Sequence, residues 1–172
     1  MNWIYQNQPL KLMAVVYLVI GSNVGDRSEY LQHACGALEG RAGHLLVTSP
    51  VYQTAAWGFT SASDFYNQVV VLESSLNPDE LLGLIHSIED AAGRRRDPGP
   101  YHDRTLDIDI LFYDRLVIQQ PDLRIPHPLL EQRKFVLEPL AAICPFLLHP
   151  VSGKTIWQLR RECQDKLEVR KI

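Results

Sequence analysis

The run Arg104-Thr105-Leu106-Asp107-Ile108-Asp109-Ile110 alternates acidic and aliphatic side chains. Such alternation predicts a strand, here over residues 106–113, with Asp107 and Asp109 on one face and Leu106, Ile108 and Ile110 on the other. Two carboxylates on one strand face repel each other unless a cation lies between them, and a hard all-oxygen pair suits magnesium. The competing reading is a solvated outer face whose two acids ionise independently. The segment just upstream bears on that choice. Gly93, Pro98, Gly99 and Pro100 preclude a regular element there, and the loop brings Arg94, Arg95, Arg96 and Arg104 close to the acid pair in sequence. Carboxylates for a metal beside several guanidinium groups are the parts that hold a polyphosphate, the metal bridging its oxygens and the arginines forking onto them. A charge run that is only a wet loop explains the arginines but not their company.

Other phosphate sites fit worse. Ser152-Gly153-Lys154-Thr155 looks like the end of a P-loop, but the glycine required five residues before Gly153 is Leu148, and Pro150 breaks the approach. Gly21-Ser22-Asn23-Val24-Gly25 follows a predicted strand and opens a helix without the spacing of a dinucleotide fingerprint. Neither H-E-x-x-H nor G-x-S-x-G occurs, and His33, His44 and His149 are read as surface or core-edge residues. With no nucleophile or strong base beside the acids, a covalent phospho-enzyme is not expected, and positioning with charge neutralisation must supply the acceleration.

These groups need a scaffold, and the chain is long enough for one domain. Its 172 residues are 46% hydrophobic and 22% charged, as in an ordinary soluble globular protein. A net charge of -3 gives no large positive field and argues against a dedicated nucleic-acid binder. Cys35, Cys144 and Cys163 are odd in number and widely spaced, which reads as free thiols in a reducing cytoplasm. Lys11 and the apolar run over residues 12–20 have the outline of a signal peptide, yet Val15, Val16, Val19 and Ile20 followed by Gly21 describe a buried strand. Residues 1–13 are assigned to an N-terminal extension and residues 14–172 to the domain.

Asp26 is expected to cap a helix reaching about Leu38, with Gly40 and Gly43 ending it. Residues 44–54 read as a strand at an edge or bulge because of Pro50, and residues 65–74 as another strand. Pro78 opens a helix with Leu81, Leu82, Leu84, Ile85 and Ile88 on its apolar face. After the acidic strand come short helical pieces broken by prolines, then a helix over about residues 155–167. Strand, helix, strand, strand, helix, strand is the order of an α+β, ferredoxin-like βαββαβ sandwich, an antiparallel sheet with packed helices, here with an extra C-terminal helical segment.

Taken in order, Val19-Ile20-Gly21-Ser22-Asn23, Tyr52-Gln53-Thr54, Phe65-Tyr66-Asn67-Gln68-Val69-Val70, Ile88-Glu89, Gly93-Arg94-Arg95-Arg96, the acidic run and Ile125-Pro126-His127-Pro128 through Arg133 and Phe135 form a set. The set resembles 6-hydroxymethyl-7,8-dihydropterin pyrophosphokinase, an enzyme of folate biosynthesis, over about residues 14–162. The resemblance implies transfer of pyrophosphate from ATP to the pterin hydroxymethyl group, with AMP leaving. It implies that Asp107 and Asp109 bind two magnesium ions and that Arg94, Arg96 and Arg104 close over the reacting phosphates. Glu89, His127 and Arg133 match ATP-contacting positions, as does Ile110 through its backbone. Thr54, Phe65, Asn67 and Phe135 match the pterin pocket, and Tyr101 stands where many relatives carry Trp. His86 and Pro128 depart from the usual Gln and Tyr, which leaves the adenosine contacts open. Residues 55–63 and 95–103 are expected to act as lids. The partners implied are ATP and a reduced pterin, with no nucleic acid and no membrane, for a cytoplasmic monomer. Two other readings remain at this point: a ferredoxin-like RNA-binding module, which would need a basic face and exposed strand aromatics, and a metal-dependent phosphodiesterase using the same acids.

Overall fold

A computed structural model describes residues 13–94 and 102–172. β1 (Ala14–Ser22) leads into α1 (Arg27–Arg41), whose first turn is capped by the Asp26 carboxylate accepting the Glu29 N–H at 3.0 Å. β2 (Gly43–Thr48) and β3 (Tyr52–Thr54) follow, then β4 (Phe65–Ser74), α2 (Pro78–Ala91) and β5 (Asp107–Tyr113). α2 begins with Pro78 behind a capping box in which Asn77 and Glu80 satisfy each other's backbone N–H groups, so its start is fixed locally. A short hairpin of β6 (Ile118–Gln119) and β7 (Arg124–Ile125), a 3-10 turn (Leu130–Gln132), α3 (Lys134–Ile143), α4 (Ile156–Glu162) and β8 (Val169–Lys171) complete the chain.

The main sheet is antiparallel with the order β5-β1-β4-β3-β8, and β2 also pairs with β4. The expected α+β architecture is present, with two differences. The strand read over residues 44–54 is two strands, β2 and β3, laid end to end along one edge of β4. Pro50 lacks the N–H needed to carry the ladder through, and Ser49 fills the gap. Its N–H donates to the Val69 carbonyl at 2.8 Å, and its hydroxyl accepts the Val69 N–H at 3.0 Å. The terminal helix stops at Glu162, and the chain turns into β8, which pairs with β3.

Both faces of the sheet are covered. On one, Val16, Leu18 and Ile20 of β1 and Val70 and Leu72 of β4 pack against Leu31, Ala34 and Leu38 of α1 and Leu81, Ile85 and Ile88 of α2. On the other, Val19, Val69, Leu111 and Phe112 meet Val136, Leu137 and Leu140 of α3 and Ile156 and Leu159 of α4. The alternation along β5 changes hand where its register against β1 shifts between Tyr17 and Leu18. Up to Ile110 the aliphatic residues face the first core, and Leu111 and Phe112 both join the second. α3 and α4 cover only part of their face, and the uncovered end of the sheet is the floor of a cleft. Among the described residues no helix is long and apolar enough to cross a membrane.

Candidate active site

Sheet register assembles the cleft floor. Gly21 of β1 stands opposite Asp107 of β5 on one side and Asn67 of β4 on the other, and Val19 stands between Asp109 and Val69. These positions share the face on which Val19 and Val69 pack, so the two carboxylates point into the cleft while Ile108 and Ile110 are buried behind them. Gly21 leaves room at the centre of its row. A Cβ there would come within 2.8 Å of the Asn67 Oδ1. The Asn67 Nδ2 donates to the Thr54 hydroxyl at 3.0 Å, which turns the amide oxygen over Gly21.

Two cavities open from this floor. The first, about 320 Å³, is walled by Thr54, Trp57, Phe59, Phe65, Asn67 and Phe135. The second, about 340 Å³, runs along Leu82, His86 and Glu89 of α2, Ile110, and residues 121–124 and Pro128. Arg94, Asp107, Asp109 and His127 line both, so the acid pair stands on the partition. The rings of the first cavity are braced edge-on: Phe59 against Phe65 at 6.2 Å and 84°, and Trp57 tilted against Phe135 at 6.5 Å.

Charge is concentrated at the partition. The Arg94 guanidinium bonds Asp107 at 2.5 Å and pairs with the buried Glu89, whose carboxylate also accepts the Ile108 N–H at 2.9 Å. Burial works against the Arg94 charge, but Asp107 and Glu89 hold the guanidinium above its ordinary value. Arg104 reaches Asp107 at 3.2 Å and lies 5.6 Å from the Phe65 ring centre. Arg133 reaches Asp109 at 3.3 Å and approaches the Trp57 ring at 5.1 Å and the Phe135 ring at 5.7 Å. The Nε atoms of Arg104 and Arg133 are buried with no partner among the described residues, donors that a water or an anionic acceptor can satisfy.

Burial and the neighbouring Asp107 push the Asp109 carboxyl up to about 6, against the pull of Arg133, Arg104 and Arg94. A buried carboxyl beside a like charge keeps its proton to higher pH than a free one. Burial, then Arg133, pushes His127 down to about 4 although Asp107 opposes them, so the imidazole is neutral at pH 7. Its Nδ1 accepts the Leu129 N–H at 3.1 Å, which assigns the proton to Nε2. The 3.4 Å approach of Arg133 Nη1 to that nitrogen therefore brings two donors together and is no hydrogen bond.

Thr54, Phe65, Asn67 and Phe135 come together in the first cavity, and Glu89, Ile110 and His127 line the second. Arg133, expected beside the nucleotide, lines the first. Arg96 and Tyr101 lie outside the described residues, as does most of the expected lid over residues 95–103. Trp57 and Phe59 were not singled out by sequence, because an irregular loop gives its aromatics no period. Asn23 was read only as part of a turn. Buried, it donates to Ser61 Oγ at 3.2 Å and Asp103 Oδ1 at 2.6 Å and accepts the Arg104 N–H at 2.8 Å. It thereby ties the end of β1 to the loop bearing Trp57 and Phe59 and to the segment bearing Arg104.

Residues 17–145 match the family model described as 7,8-dihydro-6-hydroxymethylpterin-pyrophosphokinase. The 2-amino-4-hydroxy-6-hydroxymethyldihydropteridine pyrophosphokinase of Porphyromonas gingivalis is 45% identical over 141 residues, which covers 80% of this chain and 95% of that protein. The Aquifex aeolicus protein of the same name is 41% identical, covering 87% of this chain and 92% of its own length. The crystal structure of wild-type Plasmodium falciparum HPPK-DHPS superposes with a TM-score of 0.72 at 18% identity over 88% of this chain. This chain spans 45% of that one, and the likeness there is one of fold.

Proposed function

The chain belongs to the 7,8-dihydro-6-hydroxymethylpterin-pyrophosphokinase family, and on that premise we propose how its cleft carries out the reaction. The enzyme transfers pyrophosphate from ATP to 6-hydroxymethyl-7,8-dihydropterin, a step of folate biosynthesis. The pterin occupies the aromatic cavity, with Phe65, Phe135 and Trp57 against its rings and Asn67 and Thr54 reading its edge. ATP occupies the second cavity, with its phosphates at the partition under Arg94 and Arg104. The carrying observation is the position of Asp107 and Asp109 on the wall common to both cavities.

The residues fit a magnesium site. Two adjacent hard-oxygen ligands on one strand face suit an ion that takes one or two protein carboxylates and fills its shell with phosphate and water. The described residues offer no group of three or more His, Cys, Asp and Glu that would make a protein-only cage. Bound there, magnesium would supply charge neutralisation on the polyphosphate and acidify the attacking hydroxyl. The chain's own groups do the rest. The aromatic cavity orients the hydroxymethyl oxygen toward the β-phosphorus, and Arg104 and Arg94 neutralise charge as AMP departs. Neutral His127 adds a hydrogen-bond donor without adding charge.

Formation of AMP from ATP, assayed with and without 6-hydroxymethyl-7,8-dihydropterin, tests this reading. AMP release should depend strictly on the pterin. Release without it would point to a phosphodiesterase.

A further inference from the structure

The family match ends at residue 145, yet the segment of greatest consequence for the aromatic cavity outside the cleft lies beyond it. Residues 165–171 hold both walls of that cavity from behind. On one wall, β8 pairs with β3 through Val169 opposite Thr54, Arg170 opposite Gln53 and Lys171 opposite Tyr52, and the Ile172 N–H donates to the Val51 carbonyl at 3.1 Å. β3 is three residues long and runs directly into the loop bearing Trp57 and Phe59. The Arg170 guanidinium donates to Gln53 Oε1 at 2.9 Å, and the Gln53 amide donates to Asp64 Oδ2 at 2.7 Å. The tail thus reaches the far end of the same loop, next to Phe65.

On the other wall, α3 starts at Lys134 with Arg133 as N-cap and no side-chain cap of its own. Asp165 supplies one from the tail. Its Oδ2 accepts the Lys134 N–H at 3.1 Å, while its Oδ1 accepts the Leu167 N–H at 3.0 Å. A carboxylate at a helix N-terminus satisfies a backbone donor and complements the helix dipole. The first turn it fixes carries Phe135, and the residue before it is Arg133, both facing the cavity.

We infer that residues 165–171 are a positioning element for the pterin half of the cleft, setting the spacing of its two walls without touching the ligand. The inference rests on the assignment of the aromatic cavity to the pterin.

Its test is a titration of the full chain with pterin and, separately, with ATP, for Asp165→Ala combined with Arg170→Ala. Pterin affinity should fall roughly five- to tenfold, ATP affinity should stay within about twofold, and backbone amides of residues 52–54 and 134–137 should exchange faster with solvent. Asp165→Asn, whose single amide oxygen can keep the Lys134 N–H but sets its NH2 against the Leu167 N–H, should lose less pterin affinity than Asp165→Ala. Lys154→Ala, which removes an exposed ion pair to Glu162 on α4, should leave it unchanged. Three results overturn the inference: unchanged pterin affinity in the double variant, an equal loss in Lys154→Ala, or unchanged exchange at both walls. Asn67→Leu in the same titration separates the causes. If it weakens pterin binding while the tail variant does not, the brace fails alone. If neither does, the pterin assignment has failed and the brace with it.

Discussion

The two cavities share the acid pair but are built differently. The aromatic one is specified by register. Asn67, Gly21 and Asp107 lie in one row of paired strands, Thr54 fixes the amide, and Asn23 ties the bordering loop to residues 103 and 104. The second is walled by one face of α2 and by residues 121–124, 127 and 128, where regular structure amounts to part of the two-residue β7. Its polar character comes from Glu89, His86 and the partition charges. A planar ring needs donors and acceptors at fixed places, which a ladder of backbone hydrogen bonds provides. A polyphosphate needs positive charge within reach, and here that charge stands at and beside the partition, on Arg94, which lines both cavities, and on Arg104, which bonds Asp107.

The comparison breaks most severely at the partition. Asp107→Ala or Asp109→Ala should lower turnover by at least about a thousandfold with the fold retained, because each removes a ligand from the centre serving both cavities. Steady-state rates at saturating magnesium check this. More than a tenth of wild-type activity in either variant would refute the metal assignment.

Arg104→Ala should come next. Arg104 bonds Asp107 and has a buried Nε without a partner among the described residues, so its loss should slow the chemical step by about a hundredfold. ATP affinity should change much less, since Arg94 remains. Single-turnover rates compared with nucleotide titration separate the two, and equal losses would make Arg104 a binding residue only.

Asn67→Leu sharpens the contrast between the halves. An unpaired edge on the bound pterin costs about 1–3 kcal/mol, roughly 5- to 150-fold in affinity. ATP affinity should change less than about threefold. Calorimetry with both ligands reads the difference.

The smallest effect is on stability. The Asp109 carboxyl titrates near 6 in the folded protein and near its ordinary 3.8 when unfolded. The fold therefore binds that proton more tightly, and metal-free stability falls as pH rises from about 4 through about 6. Asp109→Asn has no charge to bury. At pH 7 without metal it should be more stable than wild type by on the order of 1–2 kcal/mol, allowing for its partial exposure. That is a few degrees in Tm, and the gap should close near pH 4. Melting curves at the two pH values check the sign.

What was legible in sequence was what strand periodicity encodes. Asp107 and Asp109 were placed on one face by alternation, and the structure brings them to one cleft with Phe65 and Asn67. The pairing of Arg133 with Asp109 joins residues 24 apart through tertiary packing that no period announces. Pro50 signalled a disturbed strand but could not show that Ser49 would lend its hydroxyl to the ladder. β8, only three residues long and well separated from the end of α4 at Glu162, carries too little pattern to be told from a polar tail.

That last strand bears on the order in which the protein assembles. β3 meets β4 across a hairpin, and Gln53 meets Asp64 only 11 residues away, but Arg170 reaches Gln53 across 117. Closing so long a span costs chain entropy that is recovered only once both partners are already held. The sheet from β1 to β4 can therefore condense first, and the back of the aromatic cavity would be secured late in folding. Binding competence would then be acquired after most of the secondary structure, and a chain halted before that step would be folded in outline and still unable to grip its acceptor.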